Sequence, residues 1–245
     1  MRFILSRSTN PGFNLAAEEY LFLRQSERTL FLYVNEPCVV VGCNQSILAE
    51  ADTTFCASQS VGLFRRLSGG GAVYHDLGNL NFCFITNRIP GQSPLGTAFL
   101  EPITAVLHAL GIPVEVGARK DLWLPSSFKV SGTASHVGKT RELHHGTLLY
   151  DTSLEILQRC LTPNSAGRVK VAVASVPSPV KNIRDFLREK GLEAVDTQTF
   201  VQRFALQMLA CLPDLVPMDF SDAETAEITE IADKTYLSTA WTFKK

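Results

Sequence analysis

The sequence lacks an excess of charge of one sign, paired cysteines and any long apolar run. Its 23 basic and 24 acidic side chains give a formal net charge of −1 over 245 residues, which argues against a nucleic-acid or membrane partner. Its six cysteines form no C-x-x-C pair, so neither a zinc site nor a disulfide framework is expected. The first residues turn polar before a signal-peptide core could form, and no apolar run approaches bilayer-spanning length. These absences predict a reduced, soluble, cytoplasmic protein.

The sequence that remains has an ordinary globular composition, 45% hydrophobic and 19% charged. Its hydrophobic periodicity alternates between strand-like and helix-like stretches without strict βαβ order, which predicts an α+β fold with a single sheet layer backed by helices. Helices are expected at 10–26 (with Asn14 as N-cap), 49–59, 97–111, 180–190, 199–211 and 223–236. Strands are expected at 29–34, 38–42, 61–67, 71–75, 79–86, 112–118, 121–124, 128–135 and 142–151, the fourth and fifth joined as a hairpin by "DLGN".

The most unusual stretch is "RRLSGGGAVYHDLGNLNF", which begins at Arg65 and carries three consecutive glycines. Glycines lack Cβ atoms, so their N–H groups can converge on an anion at close range. Strand alternation sends Arg65 and Arg66 to opposite faces, so one of the two is expected to serve a pocket. The spacing is not that of a dinucleotide fingerprint, and the glycines alone fit a solvated hairpin equally well.

Other polar residues lie on predicted strands. Asn79 and Asn81 share one face of their strand with a cysteine, as the floor of a pocket would require. Lys129 points opposite to its apolar neighbours, and is either a solvated lysine or a fixed cation that stabilises charge at a reacting centre. His75 and Asp76 are adjacent on a strand, so a direct His–Asp relay is not expected.

Eight segments, in this order, resemble the lipoate–protein ligase A family across nearly the whole chain. They are "FNLAAEEYLF", "VVVGCNQS", "RRLSGGGAVYHDLGNLNF", "DLWL", "FKVSGTAS", "HHGTLLYD", "SVPSPVKNI" and "WTF". The resemblance implies a catalytic domain like those of biotin–protein ligases and class II aminoacyl-tRNA synthetases, with a mixed, mostly antiparallel sheet. It also implies that lipoate and Mg-ATP form lipoyl-AMP, from which the acyl group passes to a lysine. The expected acceptors are lipoyl domains of 2-oxoacid dehydrogenases and the glycine-cleavage H protein.

The resemblance also assigns site residues. Lys129 is expected to be catalytic and to contact the activated carboxyl and the phosphate. ATP and lipoyl-AMP are expected to contact a larger set: Arg66, Gly70, Gly71, Ala72, Val73, Tyr74, His75, Asn81, His145, Gly146 and Lys181. Asp121 is the candidate ligand for Mg²⁺.

The sequence departs from the family pattern in places that bear on the first half-reaction. Pro177 and Pro179 stand where the family segment over the adenylate carries arginines, and proline removes both the charge and a backbone donor. Cys43 stands where a basic residue is common. Residues 1–245 are expected to be one catalytic domain without the C-terminal accessory domain, so either a separate accessory subunit is a further partner or the chain performs only the transfer step. One alternative is a transfer-only lipoyltransferase or lipoyl-AMP-binding subunit that needs a separate accessory subunit for adenylation. A less favoured one is a cysteine-dependent octanoyl or lipoyl amidotransferase, for which Cys83 lies near the pocket strand.

Overall fold

The computed structural model describes residues 1–89, 91, 96–163, 175 and 178–244. The strands are β1 (Arg2–Leu5), β2 (Thr29–Val34), β3 (Cys38–Val41), β4 (Gly62–Arg65), β5 (Val73–His75), β6 (Asn79–Asn87), β7 (Glu115–Val116), β8 (Leu122–Trp123), β9 (Lys129–Ser131), β10 (Thr133–Val137), β11 (Arg141–Leu149) and β12 (Val216–Pro217). The helices are α1 (Pro11–Leu23), α2 (Ile47–Glu50), α3 (Thr53–Ser58), α4 (Leu100–Ala109), α5 (Leu154–Cys160), α6 (Ile183–Glu189), α7 (Thr197–Cys211), α8 (Asp222–Ile231), a π-helical turn (Ala232–Tyr236) and α9 (Thr239–Thr242). None of the helices in the described ranges is long and apolar enough to cross a bilayer.

Within the described ranges the strands form three sheets rather than the single layer expected from the sequence. The largest has the order β10-β11-β6-β2-β1-β12, with antiparallel β10, β11, β6 and β2 followed by parallel pairings. Two three-stranded sheets, β4-β3-β5 and β7-β8-β9, flank it. The mixed sheet and its helices confirm the α+β class.

Alternation along β2 and β6 divides the core between the two faces of the large sheet. Leu30, Leu32 and Phe82 pack into one buried cluster with α4, α6 and α7. Phe31 and Cys83 pack into a second cluster with α1 and α8. Burying each large apolar side chain contributes about 1.5–3 kcal/mol, so these two clusters hold the sheet between helical layers.

Three local expectations were wrong. Asn10, not Asn14, caps α1, because the Asn10 side chain accepts the Phe13 N–H at 3.0 Å while Asn14 is buried one turn inside the helix. The helix expected over 49–59 is two short helices, and the last long helix ends in a π-helical turn.

The expected β5–β6 hairpin does not form, because β5 pairs with β3 while β6 pairs with β2 and β11. The Asp76 carboxylate accepts the N–H groups of Gly78 and Ser153 at 2.9 and 2.8 Å. A Cβ at Gly78 would lie 2.1 Å from the Asp151 carbonyl oxygen. The turn is therefore tied to the chain after β11, and β6 enters a different sheet.

Candidate active site

A cavity of about 250 Å³ opens where the three sheets meet. It has an apolar part at Leu15, Tyr33 and Val40 and a charged part at Lys129. The full lining among the described residues is Leu15, Tyr33, Val40, Arg66, Gly71, Ala72, Val73, His75, Asn81, Arg119, Asp121, Lys129, Gly132, Thr133, Ala134, His145, Gly146, Thr147 and Ser175. Such a pocket suits a ligand with an apolar chain and an anionic end.

The glycine turn between β4 and β5 forms one side of the cavity, and its shape depends on Arg66. The buried Arg66 guanidinium donates from Nη2 to the carbonyls of Gly69 and Gly71 at 2.5 and 2.8 Å, and from Nη1 to Val40 at 3.1 Å. Gly70 has φ +86°, a conformation that favours glycine. Burial lowers the pKa of Arg66 to about 10, which leaves it charged at neutral pH. Arg66 therefore braces the turn from within.

Arg65 points to the opposite side, as alternation predicts. Its guanidinium donates to the carbonyls of Gln45 and Thr242 at 2.6 and 2.9 Å, and the Trp241 indole returns a hydrogen bond to the Arg65 carbonyl at 2.8 Å. Arg65 does not line the cavity, so it joins β4 to α9.

The facing side of the cavity carries Lys129, Asp121 and Arg119. The Lys129 ammonium lies 3.2 Å from Asp121 Oδ2, and Arg119 Nη2 lies 3.9 Å from the same oxygen. Burial opposes ionisation of Asp121, but the Trp123 indole and Lys129 outweigh it and lower the pKa of the carboxyl. The Lys129 N–H donates to the Pro179 carbonyl at 2.8 Å, so the chain beside β9 fixes the lysine backbone.

His75 presents a free donor to the cavity. Its Nδ1 lies 3.0 Å from the Asn35 amide nitrogen, so Nδ1 accepts and Nε2 carries the hydrogen. Nε2 is buried and has no partner within the described residues. Burial, with the charge of Arg66 adding to it, lowers the pKa of His75 to about 3. A neutral N–H donor in this place suits a ligand oxygen.

Most of the predicted site residues meet at this cavity, and three do not line it. Those that line it are Arg66, Gly71, Ala72, Val73, His75, Asn81, Asp121, Lys129, His145 and Gly146. Gly70 does not line the cavity, and an added Cβ there would lie 3.0 Å from Arg66 Nη2. Tyr74 points away from the cavity and packs with Val39 in a separate apolar cluster. The Lys181 ammonium pairs with Glu189 at 2.5 Å. The contacts expected of all these residues with a ligand stay predictions.

The sequence did not single out several lining residues. Arg119 follows a loop with no motif, and Ser175 reaches the turn from a distant segment to accept the Ala72 N–H at 2.9 Å. The Glu50 carboxylate in turn accepts the Ser175 hydroxyl at 2.5 Å. Pro177 lies outside the described residues.

None of the six cysteines, all of which lie in the described ranges, lines the cavity. Cys83 is fully buried, and burial raises the pKa of its thiol well above the usual value. A thiolate nucleophile is therefore not supported at Cys83, whose place in the second core cluster is that of a packed cysteine.

This arrangement defines a class: an α+β catalytic domain with a glycine turn and a lysine on opposite sides of a partly apolar pocket. Residues 10–209 match the model of the lipoyl protein ligase A/B catalytic domain. The chain is 32% identical over 246 residues to lipoate–protein ligase 1 of Staphylococcus aureus, covering 99% of this chain and 73% of that protein. It is 38% identical over 193 residues to lipoate-protein ligase LplJ of Bacillus subtilis, covering 78% of this chain and 58% of that protein. The chain belongs to the lipoyl protein ligase A/B catalytic domain family.

Solved structures share the fold. A bi-partite lipoate protein ligase from Thermoplasma acidophilum, studied with its E2 lipoyl domain, is 27% identical with a TM-score of 0.81, covering 99% of this chain and 95% of that one. A lipoate-protein ligase A bound with ATP is 23% identical with a TM-score of 0.81, covering 99% of this chain and 98% of that one.

Proposed function

We propose that this chain attaches lipoate to a lysine of lipoyl domains through a lipoyl-AMP intermediate made from lipoate and ATP. The observation that carries the proposal is the meeting of an apolar wall, a glycine turn and the Lys129 ammonium in one cavity. Lipoate has an apolar chain and a carboxylate, and ATP adds phosphates, which match these three parts. Membership of the family and the identity to the S. aureus ligase support the same chemistry.

In the first half-reaction a carboxylate oxygen of lipoate attacks the α-phosphorus of ATP, and pyrophosphate leaves. Negative charge accumulates on the α-phosphate oxygens in the transition state, where fixed cations and N–H groups lower the barrier. Lys129 supplies the cation, and its ion pair with Asp121 at 3.2 Å holds it in place before the substrates arrive. The glycine turn lines the opposite side of the cavity at Gly71 and Ala72, and the Ala72 N–H is already held by Ser175 Oγ at 2.9 Å.

In the second half-reaction the ε-amine of the acceptor lysine attacks the acyl carbon, AMP leaves and the nitrogen loses a proton. Lys129 stabilises the oxyanion of the tetrahedral intermediate, and His75 Nε2 donates a hydrogen bond from the pocket wall. AMP is a good leaving group, so no covalent acyl-enzyme is required.

Asp121 fits a role in holding Mg²⁺ with ATP. Mg²⁺ is commonly held by one or two carboxylates together with substrate phosphates. Asp121 is the lone carboxylate among the described lining residues, and its Oδ2 makes no hydrogen bond of good geometry despite its ion pair. Bound there, the metal would neutralise phosphate charge.

The test is mass spectrometry of an E2 lipoyl domain incubated with this protein, lipoate and Mg-ATP, beside a reaction with synthetic lipoyl-AMP. We expect a lipoyl adduct on one lysine in both reactions. Modification with lipoyl-AMP alone would assign the chain to transfer only, and failure of both would exclude the enzyme assignment for this chain.

The second candidate is transfer or lipoyl-AMP binding that needs a second polypeptide for adenylation. It is favoured by Pro179, which offers no N–H beside Lys129, and by the bi-partite ligase of T. acidophilum. In this case residues 1–245 act as one catalytic domain, and adding the second polypeptide would restore adduct formation from lipoate and ATP.

A further inference from the structure

A buried chain of hydrogen bonds runs from α1 through β11 to the glycine turn. Glu18 accepts from His145 Nδ1 at 2.9 Å, His145 Nε2 lies 2.7 Å from Ser68 Oγ, and Arg66 Nε lies 2.9 Å from the same hydroxyl. Tyr33 adds a fourth contact, donating to Glu18 at 2.9 Å. All five side chains are at least nine-tenths buried.

The donors and acceptors fix the direction of this chain. Arg66 Nε can only donate, so it donates to the Ser68 oxygen. The single Ser68 hydrogen then goes to His145 Nε2 at 2.7 Å rather than to the Gly69 carbonyl at 3.5 Å. His145 consequently carries its hydrogen on Nδ1 and donates it to Glu18.

This series of hydrogen bonds ends at the Arg66 guanidinium, which shapes the turn. Arg66 Nη2 holds the carbonyls of Gly69 and Gly71, whose orientations set the directions of the following N–H groups. Between Glu18 and Ser68, His145 lines the cavity. A change at His145 therefore reaches Arg66 through two hydrogen bonds, and the turn through a third that Arg66 donates to the Gly69 or Gly71 carbonyl.

We propose that Glu18 and Ser68 are positioning residues that act through His145 and Arg66 to hold the glycine turn in its ligand-binding shape. The proposal rests on the proposed function of the same cavity and deepens it. Neither residue touches the reacting atoms, because neither lines the cavity.

A nucleophilic role for Ser68 is not supported, although serine, histidine and glutamate stand in triad order. Ser68 is 1% exposed and lies behind the turn, out of reach of an acyl carbon. Its oxygen already accepts from Arg66, which lowers its nucleophilicity.

The protein offers a matched control at His144, the residue before His145. Ser135 Oγ lies 2.8 Å from His144 Nδ1, but this pair has no link to Arg66 or to the turn. Ser68→Ala and Ser135→Ala therefore remove the same group from the same kind of partner.

The experiment combines amide hydrogen exchange with steady-state kinetics on the full chain. We expect Ser68→Ala to accelerate exchange at residues 69–72 about tenfold relative to β11 amides and to lower kcat for lipoyl-AMP synthesis about tenfold, while Ser135→Ala leaves both within twofold. Glu18→Gln should lower kcat, and the double variant Glu18→Gln/Ser68→Ala should fall short of the product of the single effects. If the wild-type protein does not synthesise lipoyl-AMP, kcat for lipoyl transfer from lipoyl-AMP is measured instead of kcat for lipoyl-AMP synthesis.

Three results would overturn the proposal: unchanged exchange in Ser68→Ala, equal effects in Ser135→Ala, or an Nε2–H tautomer of His145 in the ¹⁵N spectrum of its ring. The hydrogen-exchange and tautomer measurements do not require the protein to be enzymatically active. If they behave as expected while the wild type modifies no lipoyl domain, the proposed function fails and the positioning chain stands.

Discussion

His144 and His145 are neighbours on β11, and each lies between a serine and a glutamate. His145 joins Ser68 and Glu18, which come from distant segments, and it lines the cavity. His144 joins Ser135 on the adjacent strand and lies 3.4 Å from Glu142 two residues before it. The same three residue types thus make a link across the fold on one face and a local contact on the other.

The cavity repeats this contrast in other residues. Arg66 braces the turn while Arg65 fastens α9, and Lys129 faces the ligand space while Lys181 pairs with Glu189. Position relative to the cavity, rather than residue type, therefore separates functional from structural copies. In each pair, a substitution of the residue at the cavity can be compared with the same substitution of its structural counterpart as a control.

The largest effect is expected from Lys129→Ala. Removing the cation that faces the reacting phosphate and carboxyl should lower kcat/KM for lipoyl transfer about 100- to 1,000-fold, as loss of one transition-state contact does elsewhere. Lys181→Ala should stay within about threefold, because its ion pair with Glu189 is partly solvent-exposed. Rates of adduct formation by mass spectrometry check both. Equal losses in the two variants would show that position at the cavity does not separate the lysines.

Gly71→Ala and Gly69→Ala test the turn. A Cβ at Gly71 would lie 2.9 Å from Ser175 Oγ and 3.4 Å from its Cα, so the cavity wall must shift. A Cβ at Gly69 would meet nothing within 4 Å. We expect about tenfold weaker ATP binding for Gly71→Ala, or about 1.4 kcal/mol, and less than twofold for Gly69→Ala. Isothermal titration measures both, and a tenfold loss at Gly69 would contradict the assignment.

His75 predicts a pH dependence of stability. Its pKa falls from 6.5 to about 3 on folding, so between these values the unfolded chain binds a proton that the folded chain does not. Stability from His75 is complete above pH 6.5 and falls with pH below it, by up to about 1.4 kcal/mol per unit. Urea unfolding at pH 6 and at pH 5 gives the free energy of unfolding at each pH. Between these two values it should fall less for His75→Gln than for the wild type. Parallel slopes would mean that His75 is protonated in the folded protein.

The sequence predicts those parts of the site that depend on local geometry. Alternation places Arg65 and Arg66 on opposite faces, and it places the asparagines of β6 apart from Phe82. The eight family segments predict that Lys129 and the glycine turn share one site, and both line the cavity.

The parts that the sequence misses depend on distant partners. Glu18 reads as a solvated acid near a helix start, and nothing local shows that a tyrosine and a histidine will surround it. Ser68 reads as one more polar residue in a turn. The "DLGN" turn looks like a hairpin until the chain after β11 binds Asp76 and Gly78.

The smallest effect is expected from Arg119→Gln, compared with Arg203→Gln. Arg119 is half exposed and held by one hydrogen bond to Ser178 at 3.2 Å, so solvent screens its charge at the cavity rim. We expect about three- to fivefold weaker ATP binding at low salt, shrinking as ionic strength rises. Arg203 pairs with Glu193 outside the cavity lining, and its variant should bind ATP like wild type. A loss of ATP binding at Arg119→Gln that does not depend on salt would instead indicate a direct, desolvated phosphate contact. Arg119 would then be a ligand-contacting residue, as Lys129 is expected to be, rather than a residue of the cavity rim.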